Sequence, residues 1–206
     1  MTEIKQSVKI FDMDGTVYRL SSPGNAYQGS SLEAKVNANA RQLILTRGWA
    51  TEATVDEVMM AGFNDRVGLS NYLQNTFDIT RKEYFDEVWD INPDGMLQDY
   101  EEAVEIIRAL AATNTLILLT SAAKVWQEQV CNYLGISNLF DRIITAEDFK
   151  TKDEVFEALR NEFDAKNSIS IGDQLKTDIE PAAKYGFQTL LVKKPQDIQQ
   201  LLETLS

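Results

Sequence analysis

Five short runs of aliphatic and β-branched residues set the narrowest limits on how this chain can fold. They are Val8–Phe11, Leu116–Leu119, Arg142–Thr145, Ser168–Ile171 and Thr189–Val192. Their length and apolar character suit strands of a parallel sheet buried on both faces. From the second run onward, stretches with helical spacing separate them, at 99–112, about 122–134, 151–162, 178–185 and 196–203. Strand–helix alternation of this kind predicts an α/β doubly wound fold. Stop and start signals agree. Asp99 with Glu102 and Thr151 with Glu154 have capping-box spacing, and Gly135 and Gly186 stand where helices end. Pro181 falls in a first helical turn, where a missing N–H costs little.

Residues 29 to 90 have a different texture, with no convincing strand. Ser30–Glu33, Thr54–Glu57 and Thr80–Glu83 repeat the capping-box spacing, each ahead of a stretch with helical apolar spacing such as Val36, Ala40, Leu43 and Ile44. This predicts a small helical bundle inserted after the first strand. The expected division is a sheet-bearing core of residues 1–18 and 93–206, and a helical domain of residues 19–92.

A chain of 206 residues is long enough for one such domain with an insert. It contains no His, which removes Ser-His and Cys-His catalysis and His-ligated metals. Its single Cys, Cys131, excludes disulfide frameworks and cysteine metal clusters and suits a reducing compartment. Carboxylates, Lys, Arg and hydroxyls remain for chemistry. The formal charge is −12, concentrated in residues 51–110, where 14 acidic side chains outnumber 4 basic ones. That balance argues against nucleic acid or an anionic membrane as partner. No apolar run approaches the roughly 20 residues of a membrane span, and the opening MTEIKQSVKI lacks the shape of a signal peptide. A cytoplasmic monomer acting on a small molecule is the expectation.

Four features fall at the C-terminal ends of the expected strands. Asp12 and Asp14 leave the first strand within Phe11-Asp12-Met13-Asp14-Gly15-Thr16-Val17. Alternate residues of extended chain share a face, so both carboxylates point one way and repel unless a cation or substrate uses them. Thr120 and Ser121 follow the second strand directly. Lys150 precedes the helix that Thr151 starts. Gly172-Asp173-Gln174-Leu175-Lys176-Thr177-Asp178 follows a later strand. In open parallel sheets ligands bind beyond the carboxyl ends of the strands, where the strand order reverses. With the first strand central, Asp12, Thr120 and Asp173 converge there.

The ordered set D-x-D-G-T-V, a strand-terminal Thr-Ser, a Lys before a helix and G-D-x-x-x-x-D resembles the haloacid dehalogenase superfamily over nearly the whole chain. Phe11–Tyr18 with the Phe77–Trp89 stretch is loosely similar to its pyrimidine 5′-nucleotidase branch. The resemblance implies a Rossmann-like sheet of strand order 3-2-1-4-5 under a helical type-1 cap. It implies an Mg²⁺-dependent phosphomonoester hydrolase. Asp12 would be the nucleophile that forms an aspartyl-phosphate, and Asp14 the general acid and then base. Mg²⁺ would sit on the Asp12 carboxylate, the Asp14 backbone carbonyl and Asp173. Thr120 would bind a phosphate oxygen with Ser121 beside it. The family's lysine is Lys150 or Lys152. Lys150 is preferred because it stands six residues before Phe156, the family's usual spacing, although Thr151 replaces the usual Pro. Asp178 would support the metal, hold the lysine or cap its helix. The halide-removing branch lacks an acid at the position of Asp14, so the resemblance favours phosphoryl chemistry. A phosphomutase and a catalytically silent scaffold of the same fold are the alternatives. Receiver domains, which pair Asp, Thr or Ser and Lys on a parallel sheet, carry their acceptor on a middle strand instead.

Specificity is expected from the cap and from Tyr18–Leu20, just after the first motif. The loop Gly62-Phe63-Asn64-Asp65-Arg66 joins two expected helices, and Phe63, Asn64 and Arg66 offer an aromatic, an amide and a cation to the leaving group. Trp49, Trp89 and Trp126 are read as core residues, as is Cys131.

Overall fold

The computed structural model describes residues 5–22, 27–66 and 68–203. Residues 1–4 of the opening stretch, and residues 23–26 and 67 of the expected insert, lie outside them. In chain order the strands are β1 (Val8–Phe11), β2 (Arg19–Leu20), β3 (Leu97–Gln98), β4 (Thr115–Leu119), β5 (Arg142–Ile144), β6 (Ile169–Gly172) and β7 (Gln188–Leu191). Five of them make a parallel sheet of order β5-β4-β1-β6-β7. Counted along the chain within that sheet this is the expected order 3-2-1-4-5. β1 lies at the centre, with Phe11 opposite Leu118 of β4 and Ile171 of β6.

Side chains alternate across the sheet as extended backbone requires. Val8 and Ile10 of β1, with Ile117 and Leu119 of β4, pack against Val155, Phe156 and Leu159 of α7 (Lys152–Glu162) and Ala182 of α8 (Glu180–Lys184). Phe11, Leu116, Leu118 and Ile171 face the other way, toward α5 (Glu101–Ala111) and α6 (Lys124–Leu134). With both faces covered by helices, the strands read as apolar runs and not as alternating ones.

Between β2 and β3 the described residues form four helices: α1 (Ser31–Thr46), α2 (Val55–Asn64), α3 (Gly68–Phe77) and α4 (Arg81–Val88). Their capping is mixed. Thr80 and Glu83 form a reciprocal capping box, and Ser30 accepts the Glu33 N–H at 3.0 Å. Thr54 and Thr151 stand at N-caps without a side-chain cap bond. Asp99 does not cap α5. It sits at φ 60, and Tyr100 takes the N-cap position. Trp49 stacks on Phe77 at 4.7 Å inside the insert. The two connections to the sheet run side by side as an antiparallel ribbon, Arg19 opposite Gln98 and Leu20 opposite Leu97. Among the described residues no helix is long and apolar enough to cross a membrane.

Candidate active site

β1 ends in a crevice between β4 and β6, and Asp12 is the first residue past it. Its backbone N–H donates to the Ile171 carbonyl at 2.8 Å, so the sheet itself fixes its place. The residue is 7% exposed, and its carboxylate accepts two bonds, from Lys152 Nζ at 2.8 Å and from Thr16 Oγ1 at 3.2 Å. Lys152 also donates to Asp178 Oδ1 at 2.7 Å. Burial pulls the Lys152 ammonium down, but Asp12 and Asp178 beside it hold it above the usual lysine value.

The loop after β6 is shaped to bring Asp178 there. Leu175–Ile179 forms a π-helical turn, a local geometry often found at functional sites. Asp178 Oδ2 accepts the Gln174 N–H at 2.9 Å and closes the loop. Gly172 is required by space, since a Cβ there would lie 2.3 Å from the Asp178 Cβ. Gly15 has two reasons to be glycine. Its φ is 81°, and a Cβ would lie 2.3 Å from Asp173 Oδ2.

Asp14 faces a separate set of partners. Its carboxylate accepts from the Tyr18 hydroxyl, from Trp126 Nε1 at 3.3 Å and, at the limit of bonding distance, from Thr120 Oγ1 at 3.5 Å. Trp126 Nε1 also reaches the Tyr18 oxygen at 3.1 Å. Burial pushes Asp14 above the ordinary carboxylate range, against the pull of these donors. Asp14 thus stands apart from the Lys152 network, on donors of its own. Thr120 accepts the Ala122 N–H at 3.0 Å, which fixes its hydroxyl at the end of β4.

The chemistry of the donor set fits a hard divalent cation. Asp12, Asp173 and Asp178 each place a carboxylate oxygen within 4.8 Å of the others. Asp173 Oδ1 is buried with no hydrogen-bond partner. Burial, opposed by Lys152, pushes Asp12 up to about 7, and burial with the nearby Asp178 pushes Asp173 up to about 6. Three carboxylates against one ammonium leave excess negative charge that a cation would relieve. The Asp14 side chain is not in this cluster, because it is turned toward Tyr18 and Trp126. Asp178 supplies the third carboxylate.

Two sequence expectations need correction. The lysine at the site is Lys152, and Lys150 is exposed. Thr151 is extended at φ −138° and ψ 146°, so the first helical residue, and not the one before the cap, turns its side chain inward. The loop after α2 does not reach the crevice. Phe63 is 48% exposed, Asn64 and Arg66 are exposed, and none of the three is among the described residues lining the cavity over Asp12. That cavity, about 620 Å³, is lined by the motif residues Asp12, Asp14, Thr120, Ser121, Lys152, Asp173 and Asp178, and by Leu20, Tyr27, Leu32, Trp89 and Trp126. Trp89 and Trp126, read from sequence as core, therefore also face the site. Thr16 stands within the first motif and Tyr18 directly after it, but the sequence assigns neither a bond to the acids, and Tyr27 carries no signal. A cavity of the same size at the N-terminal ends of the strands, lined by Lys5, Arg160, Asp164, Lys166 and Lys184 among others, has a single carboxylate among the described lining residues.

Residues 9–192 match the family model of haloacid dehalogenase-like hydrolases. Among solved structures the chain is similar to the magnesium-bound HAD-hydrolase YfnB of Bacillus subtilis, at 17% identity and TM-score 0.57 over 98% of this chain and 99% of that one. It is similar to the 2-haloacid dehalogenase of Pseudomonas syringae pv. Tomato DC3000, at 16% and 0.62 over 98% and 100%. It is also similar to the HAD family enzyme BT-2542 of Bacteroides thetaiotaomicron in complex with magnesium and inorganic phosphate, at 14% and 0.55 over 95% and 98%. At these identities the likeness to solved structures is one of fold. No curated protein matches the chain.

Proposed function

The chain belongs to the haloacid dehalogenase-like hydrolases, and from that premise we propose that it is an Mg²⁺-dependent phosphomonoester hydrolase acting on a small phosphorylated metabolite. The observation that carries this reading is Asp14. A halide leaves carbon without needing a proton, whereas an alkoxide leaving phosphorus needs one. A buried carboxyl held above the ordinary range, on the cavity wall two residues from Asp12, suits the second departure and has no task in the first.

The residues divide the reaction between them. An Asp12 carboxylate oxygen attacks phosphorus, the bond from phosphorus to the alcohol oxygen breaks, and Asp14 gives its proton to that oxygen. Asp14, now ionised, takes a proton from the water that attacks the Asp12-bound phosphoryl group. The bond between Asp12 and phosphorus breaks, and inorganic phosphate leaves. Lys152 offsets charge on Asp12 and on the transferring group, while Thr120 and Ser121 offer hydroxyls to phosphate oxygens. Asp12, Asp173 and Asp178 would hold the Mg²⁺, which supplies positive charge where an anionic nucleophile meets an anionic ester. The four inserted helices serve as a cap that shields the crevice from water.

The test is phosphate release from a panel of monophosphates, with Mg²⁺, with excess chelator, and after Mg²⁺ is restored, beside halide release from a 2-haloacid. The expected result is phosphate release that chelator abolishes and Mg²⁺ restores, with no halide. Halide release without phosphate overturns the reading, and full activity in chelator removes its metal.

Tyr18 is the positioning residue for Asp14. Tyr18→Phe keeps the ring, which is wholly buried, and deletes the donor. We expect kcat on an alkyl phosphate to fall about 10-fold with KM little changed, because the lost bond orients the acid and not the ester. An aryl phosphate whose leaving group departs without a proton should lose much less. Equal losses on both esters would mean that Tyr18 serves packing alone.

A further inference from the structure

Two sets of side chains share the cavity over Asp12, and they come from different parts of the chain. The ionisable ones stand at the C-terminal ends of the strands and in the turns and helix start that follow. Those from β2 and the insert are apolar or aromatic: Leu20 from β2, Tyr27 ahead of α1, Leu32 in α1 and Trp89 at the end of α4. The Tyr27 and Trp89 rings are stacked 5.7 Å apart and 18° from parallel, and Tyr27 remains 38% exposed. Phe85 meets Trp89 edge-on at 6.5 Å and braces the pair.

The charge inventory limits what can bind beside the phosphate. Among the described lining residues Lys152 is the single cation, and it is already held between Asp12 and Asp178 at 2.8 and 2.7 Å. With Lys152 and the Mg²⁺ of the reading above both committed to the Asp12 end of the cavity, a second phosphate or a carboxylate on the alcohol would find no further cation among the described lining residues. Among the described residues on the insert side, a sugar with many hydroxyls would meet only the Tyr27 hydroxyl and the Trp89 N–H as side-chain partners. A flat uncharged ring meets an aromatic pair, and ring stacking of this kind contributes strongly to binding. The volume of about 620 Å³ is in the range of small-ligand sites.

We infer that this cavity selects phosphomonoesters whose alcohol carries a flat, uncharged ring system, seated against the Tyr27–Trp89 pair; the inference rests on the phosphomonoester reading above and names its substrate class. Nucleoside 5′-monophosphates and pyridoxine 5′-phosphate both have this chemistry, and the experiment separates them.

Binding is measured by calorimetry with Mg²⁺ on the Asp12→Asn variant, which holds an ester without turning it over. The ring-bearing ligands, meaning those with a flat aromatic ring, are uridine and adenosine 5′-monophosphate and pyridoxine 5′-phosphate, and ribose 5-phosphate is the ester without an aromatic ring. At least one ring-bearing ester should bind about 10-fold more tightly than ribose 5-phosphate. Tyr27→Ala and Trp89→Ala, added to that background, should each cut this preference about 10-fold. Phe63→Ala, outside the cavity, should leave it unchanged. Trp89 also packs into the helical core, so Tyr27→Ala decides the matter if Trp89→Ala does not fold. The inference is overturned if no ring-bearing ester binds, if ribose 5-phosphate binds as tightly as all of them, or if the preference survives Tyr27→Ala. Turnover of the unaltered protein is read separately. Ring preference without phosphate release would sink the hydrolase reading and leave the ring site standing. Phosphate release with no ring preference would do the reverse.

Discussion

Asp12→Asn is expected to keep the fold and to lose at least about 10³-fold of kcat/KM on every phosphomonoester. The amide cannot become an acyl-phosphate donor, so the two-step route closes whatever the leaving group. The fold should survive because the substitution is nearly isosteric and removes a charge that burial opposes. Burial already pushes the Asp12 carboxyl up to about 7 despite the ammonium beside it. The amide oxygen can still accept from Lys152, now 2.8 Å away, and from Thr16 at 3.2 Å. Thermal melting and steady-state kinetics on the same preparation separate the two effects. An unshifted melting curve with lost turnover supports the nucleophile, and near-normal turnover removes Asp12 from that role.

How far this site could be read in the sequence depended on how local each signal was. The sheet was legible because parallel strands covered on both faces must be apolar runs, and five such runs occur. Asp12 and Asp14 were legible because a strand end and two residues define them. The partners of Asp14 were not. Trp126 lies 112 residues away along the chain, and nothing in its helix marks one face as pointing into a crevice and not into core. The loop at Phe63–Arg66 suggested chemistry by composition, but composition cannot say which end of the insert faces the sheet. The cavity is lined instead by Tyr27, Leu32 and Trp89, of which Tyr27 and Trp89 stand at the two ends of the insert, near the ribbon that joins it to the sheet. Asp178 was visible as a candidate for several roles. Its place between metal cluster and lysine depends on a π-helical turn that spacing alone does not predict.

The lysine shows the same limit most sharply, and it yields the second large effect. Counting back from Phe156 selects Lys150, whereas the backbone selects Lys152, because the chain is still extended at Thr151 and turns inward only with the first residue of α7. Lys152 is 5% exposed at its side chain and bonds two carboxylates. Lys152→Met should therefore act in two ways. It leaves Asp12 and Asp178 facing each other in the interior with no cation between them, a defect that costs about 3–5 kcal/mol when one partner of a buried pair is removed. It also removes the positive charge nearest the transferring group, which should lower kcat by about 10²–10³-fold, as the loss of one donor to a developing charge does elsewhere. Bound Mg²⁺ should restore part of the stability, since it can occupy the same excess of negative charge, but not the rate. Lys150→Met, on an exposed side chain, should stay within about 0.5 kcal/mol of the unaltered protein and keep its turnover. The comparison is made at saturating Mg²⁺, with melting and kinetics on both variants. Loss of turnover in Lys150→Met with Lys152→Met active would reverse the assignment. Equal retention in both would mean that the phosphoryl group is neutralised by the cation site alone.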